Sequence, residues 1–127
     1  MDFFEILPEY EDEAQHDFYK QVTLISVPVR IGEAFGMYLL ESMASGVPVV
    51  QPALGAFPEI TKISGGGVTY MPNTPEKLSK TWANLLTNPE TLEELSRAGY
   101  EGTKEKFNIH SHAEEIIELY ESLRNKK

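Results

Sequence analysis

The stretch from Gly32 to Val50 combines residue types that favour binding of an anionic ligand at the start of a helix. Glu33 and Glu41 lie on either side of Gly36, with seven residues between the two glutamates. The first amides of a helix have no partner inside the helix and attract anions. A glycine there lets a ligand approach the backbone, because no Cβ stands in the way. A carboxylate one turn further on would hydrogen-bond hydroxyl groups of the same ligand, and Glu33 would reach another part of it.

The helix itself follows from the spacing of apolar residues. No proline occurs from Gly36 to Ser45, and apolar residues recur at three- and four-residue spacing at Met37, Leu40, Met43 and Ala44. We expect this face to be buried and Gly46 to end the helix. At roughly 100° per residue, Glu41 lies about 40° from Met37, at the border between the apolar and polar arcs. Residues 47–50 are then predicted to form a short strand.

The same residue types allow an interpretation without function. An acidic residue ahead of a helix interacts favourably with the helix dipole, and one within a helix usually belongs to a solvated face. The choice between the two interpretations therefore rests on the sequence around the glutamates.

Apolar runs alternate with helical patterns along the rest of the chain. Residues 3–7, 22–27 and 68–71 are predicted strands, each followed by a proline. Residues 51–64 are predicted to be irregular, with at most a short helical turn at Glu59, and the triple glycine 65–67 is predicted to be a turn. Strands that alternate with helices predict an α/β fold, a Rossmann-like three-layer sandwich with a small parallel sheet of about four strands.

Four further helices are predicted, each with an inward face. They are residues 8–21; a helix opened by Asn73-Thr74-Pro75 with Leu78, Trp82, Leu85 and Leu86 inward; one begun by Asn88-Pro89-Glu90 with Leu92, Leu95 and Tyr100 inward; and residues 111–123 with Ala113, Ile116, Ile117 and Tyr120 inward.

Composition narrows the classes of partner. The chain has 127 residues, enough for one domain, and a net charge of −9. An acidic chain without a Lys/Arg cluster argues against nucleic acid as a partner. The absence of cysteine excludes disulfides and thiolate metal sites, and the three histidines form no metal-ligand pattern. No apolar run has the length of a membrane span and no signal peptide is visible, so we expect a cytoplasmic protein. Peripheral attachment of the full-length form to a membrane is the alternative.

The sequence around Glu33 and Glu41 resembles the donor-site motif of retaining glycosyltransferases with the GT-B fold, which consists of two Rossmann-like domains. More narrowly, it is similar to the glycosyl transferases of group 1, or family 4. The resemblance continues in three later stretches and covers roughly the last hundred residues. These stretches are Pro58-Glu59-Ile60, the loop and strand from Gly65 to Tyr70, and the ending from Phe107 to Tyr120.

The resemblance implies a role for each site residue. The substrate would be a nucleoside diphosphate sugar, bound without a metal or other cofactor, and the transfer would be of the hexosyltransferase type. Its diphosphate would lie against the backbone of Phe35, Gly36, Met37 and Tyr38. Glu41 would hydrogen-bond the ribose, and Glu33, as the catalytic residue, would contact the transferred sugar. The leaving group is a diphosphate, so stabilisation of developing negative charge is the main catalytic need.

The chain also departs from the family pattern. Family members carry an Arg and a Lys earlier in the same domain, whereas Lys20 and Arg30 lie in a different context here. The usual Gly-Gly ahead of Pro58 is replaced by Gly55-Ala56-Phe57. We therefore expect residues 1–127 to be the second part of a C-terminal donor domain, inactive alone. The acceptor, a sugar or lipid-linked glycan, would be bound by an N-terminal domain that this chain lacks.

Two other classes stay open, a non-catalytic nucleotide-binding α/β module and a receiver-like signalling domain. The second needs an acidic pair after the first strand and a Lys after the last, and neither is found. A further expectation concerns residues 3–7, which we predict to pair beside residues 22–27. The alternative is pairing with a second copy of the chain across the exposed sheet edge, which would give a homo-oligomer.

Overall fold

The computed structural model describes residue 5 and residues 17–31, 37–107 and 109–125, with the side chains of residues 109–112 left out. Five helices and two strands follow one another from residue 37 onward. They are α1 (Met37–Ala44), β1 (Val49–Pro52), α2 (Phe57–Ser64), β2 (Gly67–Tyr70), α3 (Pro75–Leu86), α4 (Pro89–Lys106) and α5 (Ile109–Asn125). Residues 17–20 are helical as well, in agreement with the end of the predicted helix 8–21.

The sheet is parallel but smaller than predicted. β1 and β2 pair from Val49↔Gly67 to Pro52↔Tyr70. On the other side of β1, Ile25 forms a single parallel bridge to Val49. The ladder stops there because side chains replace backbone partners. The Ser26 hydroxyl donates to the Val50 carbonyl at 2.8 Å, and the Gln51 amide takes both backbone groups of Val27.

The prediction of about four strands is therefore wrong for the described residues. Residues 22–27 contribute one bridge to the sheet and no strand. The predicted strand 3–7 lies outside the described residues except for Glu5, which belongs to no strand. Its pairing stays a prediction.

Both faces of the sheet are covered, as the α/β pattern predicts. Val49 packs on one side with Leu39 of α1 and Phe57 of α2, all with no exposed surface. Its neighbour Val50 packs on the other side with Leu85 of α3. Successive side chains of a strand point to opposite faces, so a strand buried throughout needs a layer of helices on each face. The fold is a three-layer α/β sandwich.

Helix α1 was expected from the apolar periodicity, but its buried face is rotated from the predicted one. Leu39, Leu40, Ser42 and Met43 are buried. Met37, predicted to face inward, is 57% exposed, and Ala44 is exposed too. Leu39 takes their place because the helix packs between the sheet and α4, where residues 39, 40 and 43 share the core-facing side. Gly46 follows the helix with φ of +76°, a conformation that favours glycine.

Helix α2 corrects the prediction of an irregular segment. Phe57, Ile60, Thr61 and Ser64 form its buried face, at the spacing of one helical side. The proline at 58 lies in the first turn, where a missing N–H does no harm, and Gly65 ends the helix with φ of +75°. A proline and a glycine so close together are typical of a loop as well as of the two ends of a short helix, which is why the sequence predicts an irregular segment here.

The triple glycine does more than form a turn, because it also permits close helix packing. A Cβ on Gly66 would lie 2.6 Å from the Cα of Gly99 in α4, and one on Gly99 would lie 2.7 Å from the Cα of Gly66. Real Cβ atoms do not approach other atoms so closely. The two glycines therefore let α4 contact the chain directly ahead of β2.

Helices α3 and α4 begin as predicted and α5 begins at Ile109, before the predicted start at residue 111, but their inward faces are less buried than predicted. The Thr74 side chain caps α3 by accepting from the Lys77 amide at 3.2 Å. Trp82, predicted to be a core residue, is 37% exposed, and Tyr100 of α4 is 50% exposed. The predicted inner stripe of α5 is exposed in the described part of the chain, with Ile116, Ile117 and Tyr120 more than half open. Periodicity predicts that a helix has an apolar side, and packing requires a partner for that side.

No helix among the described residues has the length and apolar character needed to cross a membrane. No group of three or more His, Asp or Glu side chains in the described part of the chain has the arrangement of a metal site.

Candidate functional site

The carboxyl end of the sheet brings the described candidate residues together. Residues 26–31 follow the bridge at Ile25. Helix α1 then begins at Met37, and β1 follows α1 and runs parallel to the segment at Ile25. A helix between two parallel strands starts near their carboxyl ends, where open α/β sheets bind ligands. Of the predicted site residues, Met37, Tyr38 and Glu41 are described. Glu33, Phe35 and Gly36 lie outside the described residues.

Met37 and Tyr38 form the beginning of α1. The side chain of Met37 is 57% exposed, so the first turn faces solvent on this side. Tyr38 is half-buried and packs against the cluster that contains Leu39, Val49 and Phe57. Its hydroxyl accepts a hydrogen bond of 3.3 Å from the Gln51 side chain near the end of β1. That contact places the first turn of α1 beside the carboxyl end of the sheet.

Glu41 lies one turn further along α1, at the border of the buried face as predicted. It is half-buried, yet its carboxylate has no hydrogen-bond or ion-pair partner among the described residues. Its backbone carbonyl accepts hydrogen bonds from the amide of Ser45 at 3.1 Å and the hydroxyl of Ser45 at 2.9 Å. A partly desolvated carboxylate gains from a hydroxyl or amide donor, and a ligand at the helix start would supply one.

Gln51 is a site residue that the sequence interpretation missed. It is fully buried in β1, between Val50 and Pro52. Its Oε1 accepts from the Val27 amide at 2.7 Å, and its Nε2 donates to the Val27 carbonyl at 3.2 Å as well as to Tyr38. The available signal was an amide inside an otherwise apolar strand, a residue type that is buried only when hydrogen-bonded.

A second amide connects the neighbouring strand end to the same loop. Asn73 follows β2, and its Nδ2 donates to the Val29 carbonyl at 2.9 Å. Its Oδ1 lies 3.4 Å from the Tyr70 hydroxyl, which donates to it. Burial raises the pKa of that hydroxyl above its usual value of 10.0, so Tyr70 is a neutral donor at physiological pH. Loop 27–31 is thus held at Val27 and at Val29 by amides from two successive strand ends.

This arrangement suits recognition of a phosphorylated polyol. An exposed helix start attracts phosphate, and a carboxylate one turn away accepts hydrogen bonds from vicinal hydroxyls. Glu41 is the only acidic residue of α1. The described part of the site thus combines a helix start with a carboxylate that accepts hydrogen bonds.

Comparison with known proteins assigns the family. Residues 3–102 match the family model of glycosyl transferases group 1. The chain belongs to this family. It is 33% identical over 111 residues to the lipopolysaccharide core biosynthesis mannosyltransferase LpsB of Rhizobium meliloti. This match covers 84% of this chain and 31% of the mannosyltransferase. It is 35% identical over 81 residues to a D-inositol 3-phosphate glycosyltransferase of Segniliparus rotundus, covering 64% of this chain and 18% of that enzyme.

A solved structure supports the fold. The sucrose-phosphate synthase of Thermosynechococcus elongatus superposes with a TM-score of 0.79 at 24% identity, over 95% of this chain and 30% of that one. The likeness confirms the predicted class, an α/β domain of the GT-B type with a small parallel sheet. The chain spans less than a third of the length of the relatives it matches.

Proposed function

We propose that this group 1 glycosyltransferase chain supplies part of the donor site of an enzyme that transfers a sugar from a nucleoside diphosphate sugar with retention. The diphosphate would lie at the start of α1, against the backbone of Phe35, Gly36, Met37 and Tyr38. Glu41 would hydrogen-bond the ribose hydroxyls. Glu33 would contact the transferred sugar as the catalytic residue.

The observation that carries this proposal is the carboxylate of Glu41. It is half-buried, without a partner among the described residues, and one turn from an exposed helix start. Leaving a partly buried carboxylate unpaired costs stability, and a bound ribose would supply the missing donors. The positive potential at the helix start suits the diphosphate group of a nucleoside diphosphate. The carboxylate of Glu41, one turn away, suits the hydroxyl groups of its ribose.

The reaction needs little covalent chemistry from the described residues. Departure of a nucleoside diphosphate develops negative charge on the phosphate oxygens, and preorganised amides at the helix start would stabilise that charge. Positioning of the sugar against an acceptor supplies a second large part of the rate. The relatives include a mannosyltransferase of lipopolysaccharide core and a D-inositol 3-phosphate glycosyltransferase, so a sugar or a phosphorylated polyol is a suitable class of acceptor. The acceptor would contact a part of the whole enzyme other than the 127 residues.

Calorimetric titration of the 127-residue chain tests the donor site directly. The expected result is weak binding of a nucleoside diphosphate from a panel of UDP, GDP and ADP. The matching monophosphate should bind more weakly, because it places less negative charge at the helix start, and the free nucleoside should show no binding. Equal affinity for the diphosphate and the nucleoside would contradict the placement of the diphosphate at α1.

A further inference from the structure

The side chain of Gln51 makes three hydrogen bonds to residues far from it in sequence, two to Val27 and one to Tyr38. It has no exposed surface, although the neighbouring positions of β1 are Val50 and Pro52. A valine or leucine would satisfy the strand, whereas an amide must be fully hydrogen-bonded to be tolerated there. The structure meets that demand: both N–H groups of Nε2 and one lone pair of Oε1 are engaged.

The partners of Gln51 lie at two separated points of the chain. Val27 ends the segment that follows the Ile25 bridge, and Tyr38 is the second residue of α1. In sequence, the ten residues 28–37 lie between these two points, and they include Glu33, Gly36 and Met37. One buried side chain thus joins both flanks of the stretch that carries the proposed diphosphate and sugar contacts.

We propose that Gln51 is a positioning residue of the donor site. By joining Val27 to Tyr38, it fixes the position of the first turn of α1 relative to the sheet. The proposal rests on the proposed function, because the effect on a ligand is exerted through the backbone at Met37 and Tyr38. Gln51 touches no substrate. It fixes the distance between the end of β1 and the helix start, so that the amides there meet the diphosphate without rearrangement. Fixing such a geometry before binding reduces the entropy lost on binding.

The test compares two variants that break this link with one that does not. Gln51→Met keeps the length of the side chain and removes the amide, whereas Tyr38→Phe removes only the hydroxyl at the other end. Ser26→Ala is the matched control. It removes a hydrogen bond of 2.8 Å to the Val50 carbonyl at the same edge of the sheet and leaves the hydrogen bond between Gln51 and Tyr38 in place.

The measurements are the dissociation constant for the nucleoside diphosphate that wild type binds best and the urea midpoint of unfolding. Gln51→Met is expected to weaken binding roughly three- to tenfold, the value of one neutral hydrogen bond. Tyr38→Phe should also weaken binding, and the loss in the double variant should be smaller than the sum of the two single losses. Ser26→Ala should lower the urea midpoint without changing the dissociation constant. Losses that add in the double variant, or an equal loss in Ser26→Ala, would overturn the positioning role.

Two further outcomes keep the proposal separate from the function on which it rests. If Gln51→Met does not fold, the dissociation constant of Tyr38→Phe is compared with that of Ser26→Ala. Tyr38→Phe leaves the buried amide and its bonds to Val27 in place, so weaker binding in this variant alone supports the positioning role, and equal binding overturns it. If wild type binds no nucleoside diphosphate, the proposed function fails. The positioning role is then judged by amide hydrogen exchange at residues 37–40, which should be faster in Tyr38→Phe than in Ser26→Ala. Equal exchange in the two variants would overturn it.

Discussion

Replacing Glu41 should separate ligand binding from stability. The carboxylate is half-buried on α1 and makes no hydrogen bond or ion pair with the described residues. Alanine has the higher helix propensity, by a few tenths of a kcal/mol, and removes a partly desolvated charge. The free energy of unfolding of Glu41→Ala should therefore equal or slightly exceed that of wild type. A residue whose side chain lowers the stability of the fold is typical of a binding site.

The effect on binding should have the opposite sign and a larger size. A hydrogen bond to a charged group contributes about 1.5–3 kcal/mol, which corresponds to roughly a ten- to hundredfold loss of affinity for a nucleoside diphosphate. Charge alone would act the other way, since the chain carries a net charge of −9 and the ligand is an anion. Removing one negative charge without a specific contact would strengthen binding slightly.

Calorimetry on matched variants distinguishes the two effects. Glu41→Gln keeps the shape and removes the charge, and Glu94→Gln removes the same charge from an exposed position on α4. We expect Glu41→Ala to bind at least tenfold more weakly, Glu41→Gln to lie between it and wild type, and Glu94→Gln to bind as well as wild type or slightly better. Wild-type affinity in Glu41→Ala would refute the ribose assignment. So would a loss of stability in Glu41→Ala as large as its loss of binding energy.

Three further predictions concern packing, pH and activity. Gly99→Ala should lower the free energy of unfolding by about 1–3 kcal/mol, because the added Cβ would lie 2.7 Å from the Cα of Gly66. Urea titration measures this loss of stability, and a loss no larger than that of the exposed variant Glu101→Ala would contradict the prediction. Burial raises the pKa of Tyr70, so the folded state prefers the neutral phenol. Its contribution is present below pH 10.0 and should be lost as the pH rises through the folded pKa, more steeply in wild type than in Tyr70→Phe. The 127-residue chain alone should show no sugar transfer with a nucleotide-sugar panel, since its relatives use chains about three times as long; turnover above that of Glu41→Ala would refute this.

The parts of the fold that the sequence predicts well are helix boundaries that carry a clear start or end signal. Helix α1 is predicted from residue 36 to residue 45, and the structure has Met37–Ala44, followed by Gly46. Helix α3 begins at Pro75 behind the Thr74 cap, as its sequence indicates. In both helices the boundary agrees with the prediction although the buried face differs from it. The family resemblance then supplied what the local pattern did not, the GT-B class of the whole domain.

The errors have physical causes that differ from element to element. Pro58 and Gly65 punctuate α2 as its start and end, but in a short segment they resemble two loop signals. The stripe of α5 was predicted correctly as apolar and wrongly as buried, because spacing along one helix carries no information about its partner. Residues 22–27 have strand composition, yet a side-chain amide replaces the backbone pairing at Val27.

Gln51 and Glu41 show that two polar residues near the same sheet edge differ in role, one supporting the structure and the other, in the proposed function, facing the ligand. Gln51 is fully buried, and its amide is paired by groups of the described chain, so replacing it disturbs the structure first and the ligand through the structure. Glu41 is half-buried and unpaired among those residues, so replacing it should affect the ligand alone. Tyr38 lies between them, held by Gln51 on the helix turn that precedes Glu41. In the proposed function, the amide of Gln51 positions the start of α1, and the carboxylate of Glu41 hydrogen-bonds the ribose there.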